Sequence, residues 1–229
     1  MSYFTPSELD AIALSLRVAA LAVLVSLPIA IAVAWLLARV RFRGKLLVEA
    51  LIYLPLVLPP VLTGYALLIL LGRNGVIGHA LEQWFGITLA FRWTGAVIAA
   101  AVMGFPLLVR AVRLSIDAIP QELHDTAASL GASRWQQFRR VLLPLALPGI
   151  AAGATLAFAK ALGEFGATIT FVSNIPGETQ TISLAIQSLI QLPGGEPGIW
   201  RLAAVSILIS LLALAASEWM VRRAVRHRA

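Results

Sequence analysis

Few residues in this chain are of the types that make and break bonds. There is no cysteine among its 229 residues, which excludes thiolate catalysis, disulfides and Cys-ligated metals. The three histidines, His79, His124 and His227, stand too far apart to form a local metal-ligand spacing. Gly44-Lys45 is followed by Leu46, and Arg39, Arg41 and Arg43 precede it, so it is no phosphate-binding P-loop and any ATP must be hydrolysed by another chain. What remains are two polar stretches in an otherwise apolar sequence. Residues 117–144 (DAIPQELHDTAASLGASRWQQFRRVLLP) mix acids, small residues and a glycine. Residues 163–198 hold three acids (Glu164, Glu178, Glu196), no Lys or Arg, and hydroxyls or amides at Thr168, Thr170, Ser173, Asn174, Thr179 and Thr181. Lys160 and Glu164 lie four apart, where one helix face would pair them. These are groups for contact and passage rather than for covalent catalysis.

The elements that must position them are membrane helices. The chain is 59% hydrophobic and only 13% charged, against about 25% charged in a typical soluble domain. So little charge would leave large apolar patches facing water. Mean hydropathy is +0.87. The net charge of +7 does not read as a nucleic-acid surface, because the basic residues cluster at the ends of apolar runs, the pattern of membrane topology. The first ten residues carry no Lys or Arg, so the first apolar run is expected to remain as a helix rather than be cleaved as a signal peptide. The expected fold is all-α and polytopic, a single transmembrane domain over 1–229.

Crossing ~30 Å of hydrocarbon takes about 20 apolar residues. Five stretches approach or meet that: 18–38, 50–72, 93–109, 141–159 and 202–217. Prolines inside them (Pro28, Pro55, Pro59, Pro60, Pro106, Pro148) are expected to kink or break helices, most sharply at Leu54-Pro-Leu-Val-Leu-Pro-Pro60. Basic residues crowd 39–45, 110–140 and the tail (Arg222, Arg223, Arg226, Arg228), which places those segments in the cytoplasm, the N-terminus outside and the C-terminus inside. Glu49 and Arg17, single charges near span ends, read as snorkelling to the interface. The pieces Phe165–Val172 and Ile182–Leu192 are each too short to cross. They read as a re-entrant or outward-facing pair of half-helices, with a sixth span as the alternative.

Within 117–144, Pro120 followed by Glu122 and Asp125 suits a helix start. Leu123, Ala127 and Leu130 share one face, and Gly131 ends the helix or permits close approach. A second amphipathic piece, Trp135 to Leu143, leads into Pro144 and the next span. Asp125-Thr126-Ala127, then Leu130-Gly131, then Leu143-Pro144 resembles the EAA loop of ABC importer permeases, with Asp for the first Glu and Thr for the first Ala. The resemblance implies a type I (MetI-like) permease whose residues Glu122, Asp125, Thr126, Ala127, Leu130, Gly131, Ala132 and Pro144 couple it to a cytoplasmic ABC ATPase. It implies a homodimer in the bacterial inner membrane, two ATPase copies beneath it, a periplasmic binding protein outside, ATP used by the partner, no cofactor of its own and no nucleic acid.

The segment Ala161-Leu-Gly-Glu-Phe-Gly-Ala-Thr-Ile-Thr-Phe-Val-Ser-Asn-Ile-Pro-Gly-Glu-Thr-Gln-Thr181, with Leu54–Pro60 and Leu192-Pro-Gly-Gly-Glu196, is similar to the permeases of molybdate importers. Sulfate and thiosulfate permeases share the Gly-Glu-Phe-Gly core, and tungstate is a further alternative cargo. Gly163, Glu164, Phe165, Thr168, Thr170 and Asn174 are then the expected pathway and gate. A tight dianion site would present opposite charge or converging N–H donors. This stretch offers neither, so it reads as a weakly binding path, with selectivity in the separate binding protein. A membrane enzyme would need clustered ionisable residues in its spans, and a channel would conduct without ATP. The isolated charges here fit neither as well as a permease.

Overall fold

The computed structural model describes residues 3–226. His227 and Arg228 lie outside the described residues, as do the side chains of His124, Arg222, Arg223 and Arg226. Every regular element described is helical: α1 (Pro6–Arg39), α2 (Lys45–Val57), α3 (Pro60–Leu71), α4 (Val76–Phe85), α5 (Trp93–Asp117), α6 (Gln121–Ser129), α7 (Arg134–Gln137), a π-helical turn (Phe138–Leu142), α8 (Leu143–Leu162), α9 (Gly166–Val172), α10 (Ile182–Ile190) and α11 (Glu196–Arg226).

Four of these pieces are long and apolar enough to cross a membrane: α1, α5, the continuous run Arg134–Leu162, and α11. The fifth expected span is broken into α2 and α3, bent by 116°. The break falls at the proline cluster for a local reason. Leu58, before Pro59, is extended (φ −71°, ψ 146°), Pro59 caps the next helix, and Pro60 opens it. The other prolines do not break their helices. Pro28, Pro106 and Pro148 sit inside α1, α5 and α8, which run on through them. Neighbouring helices support freed carbonyls in a membrane bundle, so proline there is tolerated.

Contacts along the helices give their directions. The Arg17 guanidinium lies 3.9 Å over the Trp93 ring, and Arg39 bonds the carbonyls of Ile116 and Ile119. The helices α1 and α5 therefore run parallel. Lys45 follows Arg39 at one end and Trp93 stands beside Arg17 at the other, so α2 and α3 together make one broken crossing. Gly149 abuts Ser115, Gly153 abuts Ala111 and Leu108, and Gly104 abuts Ala157, which sets α8 antiparallel to α5. Helix α11 starts beside the start of α1, where Arg201 pairs with Glu8 at 2.7 Å. Five crossings result, with the start of α1 and the end of α11 on opposite faces. The described helices leave no sixth.

Small residues build the core. Ala11, Ser15, Ala19, Ala22, Ser26, Ala30 and Ala34 form one buried stripe of α1. Against it α5 buries Ala96, Ala99, Ala100, Met103, Leu108 and Val112. Lipid is as apolar as leucine, so membrane helices gain by close packing, and small side chains permit it. The half of the core toward Trp93 adds Leu162, Phe171 and Val172, and the half toward Arg39 adds Leu37, Ile116 and Leu142. Glu49 differs from expectation. It pairs with Arg113 at 2.9 Å instead of snorkelling, because α2 packs against the end of α5 that carries that arginine.

Candidate functional site

Two places hold the residues singled out by sequence. The first is the end of the bundle where α1, α5 and α11 finish. Arg39, Arg41, Arg43, Lys45, Arg110, Arg113, Arg134, Arg139 and Arg140 all gather there, on helix termini or the α1–α2 connection.

Helix α6 projects from this end. It starts one residue after Pro120, and Glu122 in its first turn favours the helix dipole. It stops as expected: Gly131 takes φ +80°, Gly131 N–H donates to Ala128 O (2.9 Å) and Ala132 N–H to Ala127 O (3.0 Å). This pair of bonds satisfies the last carbonyls and reverses the chain. A Cβ at Gly131 would meet no atom within 4 Å, so the demand is on backbone conformation alone. The next helix starts at once through a capping box. Gln136 N–H donates to Ser133 Oγ, and Ser133 N–H donates to Gln136 Oε1.

The faces of this turn are uncovered. Leu130 is 82% exposed, Trp135 66% and Leu123 44%. Glu122, Asp125 and Thr126 are also exposed, Ala127 and Ala132 are half-buried, and Pro144 sits in the first turn of α8. Sequence reasoning missed what holds α6 in place. Arg39 donates to Ile116 O (3.0 Å), Ile119 O (3.1 Å) and Gln121 Oε1 (2.9 Å), so one guanidinium caps α5 and grips the start of α6. Phe138 stacks on Trp135 at 5.5 Å and meets Trp35 of α1 edge-on at 6.3 Å, inside the π-helical turn. The capping boxes Thr5-x-x-Glu8 and Ser133-x-x-Gln136 were visible signals for two of these starts.

The second place is the joint between α8 and α9, inside the span and toward its Trp93 end. Gly163 ends α8, and Glu164 follows at 2% exposure. One carboxylate oxygen takes Lys160 Nζ at 2.6 Å, and the other accepts Ala167 N–H at 3.0 Å. The acid thus neutralises a cation in the last turn of α8 and caps the first turn of α9. Two glycines let α3 lie against α9. A Cβ on Gly64 would stand 2.5 Å from Ala167 O, and one on Gly166 would stand 2.7 Å from Pro60. Gly163 is a bend, with only Ala159 O near it.

The polar side chains beyond the joint are turned into the protein. Thr168 is buried, and Thr170 Oγ1 donates to Gly166 O. Asn174 Nδ2 donates to Leu184 O and Ser188 Oγ, tying α10 to the turn after α9. Thr179 Oγ1 accepts Ile175 N–H and donates to Ser173 O. Of the six residues expected to form the gate, Gly163 is exposed, Phe165, Thr170 and Asn174 are half-buried, and Glu164 and Thr168 are buried. The two half-helices expected over 165–192 are α9 and α10, packed against α3, α5, α1 and α11. Among the described residues no group of His, Cys, Asp or Glu could hold a metal ion.

Residues 16–226 match the family model described as binding-protein-dependent transport system inner membrane component. The molybdenum transport system permease protein ModB of Escherichia coli (strain K12) is 57% identical over 218 residues, 95% of each chain. The sulfate transport system permease protein CysT of the same strain is 38% identical over 181 residues, 79% of this chain and 65% of CysT. A crystal structure of a bacterial alginate ABC transporter, in complex with alginate pentasaccharide-bound periplasmic protein, contains a chain of the same fold. Its TM-score is 0.76 at 21% identity, over 96% of this chain and 80% of that one. The MetI-like permease architecture implied by the EAA-type segment is the one observed. The chain is therefore a multi-pass permease subunit rather than an enzyme, and it belongs to the family of binding-protein-dependent inner membrane transport components.

Proposed function

We propose that the chain is the membrane subunit of an ATP-driven importer of molybdate. Its high identity to a molybdenum permease over nearly the whole length supports the cargo, with the sulfate permease more distant and matched over a shorter stretch. The observation that carries the mechanism is the uncovered turn of α6. Leu123, Leu130 and Trp135 expose apolar surface at the end of the bundle where basic residues gather. An exposed apolar patch on a rigid, positioned helix is a docking surface. The basic collar favours the cytoplasmic side for that end, which puts the N-terminus outside and the C-terminus inside.

In this reading α6, with Glu122, Asp125, Thr126, Ala127, Leu130 and Gly131, seats in a groove of an ATPase subunit, and Ala132 and Pro144 carry the motion into α8. Two permease copies face each other across the pathway, with two ATPases beneath and a periplasmic binding protein above. ATP binding draws the ATPases together, and the α6 helices follow. Arg39 passes the shift to α1 and α5 because it holds all three elements. The pathway then opens outward, receives the oxyanion from the binding protein, and returns inward after hydrolysis. Nucleotide drives this only by favouring one of the two states. The gate is the α8–α9 joint: Gly163 and Phe165 at its open side, with Glu164, Thr168, Thr170 and Asn174 fixing its shape behind.

The test is molybdate uptake into vesicles holding the permease, its ATPase and the binding protein. Uptake should require ATP and survive an equal concentration of unlabelled sulfate. Loss of uptake to that sulfate would assign the cargo to sulfate instead. A cysteine at Leu130 should crosslink to the ATPase. Its labelling from outside intact cells by an impermeant reagent would overturn the orientation and the coupling role together.

A further inference from the structure

A cleft of about 540 Å³ lies on the outside of the bundle between α1, α2 and α5, and the mechanism above makes no use of it. Its walls are almost wholly apolar, among them Ile29, Val48, Ile52, Pro55, Ala101 and Phe105. The break at Leu58 creates it. Helix α2 leans on the cytoplasmic half of α5 through the Glu49–Arg113 pair, then turns away, leaving the middle of α1 and α5 uncovered. At membrane depth an apolar cleft does not stand empty, and the question is what lies in it.

Charge at one mouth answers that. Lys45, Val48, Ile52 and Pro55 fall at i, i+3, i+7 and i+10, so Lys45 continues the lining stripe of α2 at its N-terminal end. Arg41 and Arg43 stand exposed in the five-residue connection just before it. None of the three has an acidic partner among the described residues, whereas Glu49, the nearest acid, is taken by Arg113. The cleft is thus an apolar slot leading to an unneutralised cationic mouth. We propose that it is a binding site for an anionic phospholipid, with an acyl chain along α2 and the headgroup phosphate at Lys45, Arg41 and Arg43. The cationic mouth selects charge, as basic juxtamembrane groups do. The slot selects a chain, and a bound lipid fills the wedge that the broken span leaves open.

The experiment uses the full chain in detergent, stripped of lipid, and native mass spectrometry after addition of dioleoyl phosphatidylglycerol or dioleoyl phosphatidylcholine. The wild-type protein should retain phosphatidylglycerol with on the order of tenfold preference or more. Arg41→Gln with Arg43→Gln should lower phosphatidylglycerol toward the phosphatidylcholine level and leave phosphatidylcholine unchanged. Ala101→Phe, which fills the slot and leaves every charge in place, should reduce both. Equal retention of the two lipids by the wild type overturns the headgroup assignment without recourse to any variant. Unchanged retention in Ala101→Phe overturns the chain assignment. Disulfide formation between Ile29→Cys copies would show a second copy of the chain in the cleft, and would equally overturn the proposal.

Discussion

The turn at α6 and the joint at α8–α9 are both short, glycine-marked interruptions of the helical bundle, and they are finished in opposite ways. At the joint Glu164, Thr170 and Asn174 spend their polar atoms within the chain: Glu164 serves Lys160 and Ala167, Thr170 bonds Gly166, and Asn174 bonds α10. At the turn the backbone and several polar side chains are satisfied, but the large apolar side chains are not covered. The Gly131 reversal and the Ser133 capping box close the peptide bonds, while Leu123, Leu130 and Trp135 lie open. A region complete in itself holds shape. A region with a finished backbone and unfinished side chains is a rigid surface awaiting another molecule. The two therefore fail differently when altered.

The largest effect is expected at the turn. Gly131→Glu adds a branched-off charged side chain and asks for φ +80° from a residue that resists it. Uptake should fall by at least about tenfold, in the range that a loss of ~1.4 kcal/mol of coupling gives, while membrane insertion stays normal and ATP hydrolysis continues. Normal uptake by this variant would remove the turn from the mechanism. At the joint, Glu164→Leu strands Lys160 and uncaps α9. Breaking a buried pair by removing one partner costs about 3–5 kcal/mol; because Lys160 is 30% exposed, the low end is expected. A lowered thermal midpoint of the purified chain would show it, and Lys160→Met in the same chain should recover much of the loss. No recovery would mean that the carboxylate matters chiefly as the cap of α9.

Gly64→Ala tests the packing beneath the joint. The added Cβ would stand 2.5 Å from a backbone oxygen, so α3 and α9 must separate, at about 1–3 kcal/mol by the usual cost of overpacking. The same measurement reads it, and an unchanged midpoint would mean that α3 is free to shift. The smallest effect on the chain itself is expected for Leu130→Ala. A side chain 82% exposed should change permease stability by no more than about 0.5 kcal/mol. Its retention of the ATPase in a pull-down should nevertheless weaken. Destabilisation of the isolated permease, with ATPase binding intact, would reverse the contrast between the two regions.

Much of this was legible beforehand because membrane helices announce themselves. Long uncharged runs could only be helices, and the clustered Arg and Lys marked one end of the bundle. The sharp break at Leu54–Pro60 was readable since consecutive prolines deny α2 its continuation. Gly131 was readable as a stop because the helical face ends one residue before it. The effect of Pro28, Pro106 and Pro148 was not, since whether a proline bends a helix depends on what neighbouring helices supply. Glu49 looked like a lone charge because its partner, Arg113, lies sixty-odd residues away and is brought near only when α2 lies on α5. The hydroxyls at Thr170 and Thr179 looked available, because a sequence shows a donor but not the carbonyl that consumes it.

Composition and periodicity alone determined that this chain crosses a membrane as helices, where it turns, and which end carries positive charge. Those properties follow from local chemistry: hydrocarbon leaves the backbone no other solution, and proline and glycine act on their own peptide bonds. Tertiary structure decided which charges are paired, which polar groups are spent, and which apolar faces are left open. Pairing and exposure depend on helices far apart in sequence approaching within a few ångströms. Small residues such as Gly64, Gly104 and Gly153 allow that approach but do not name the partner.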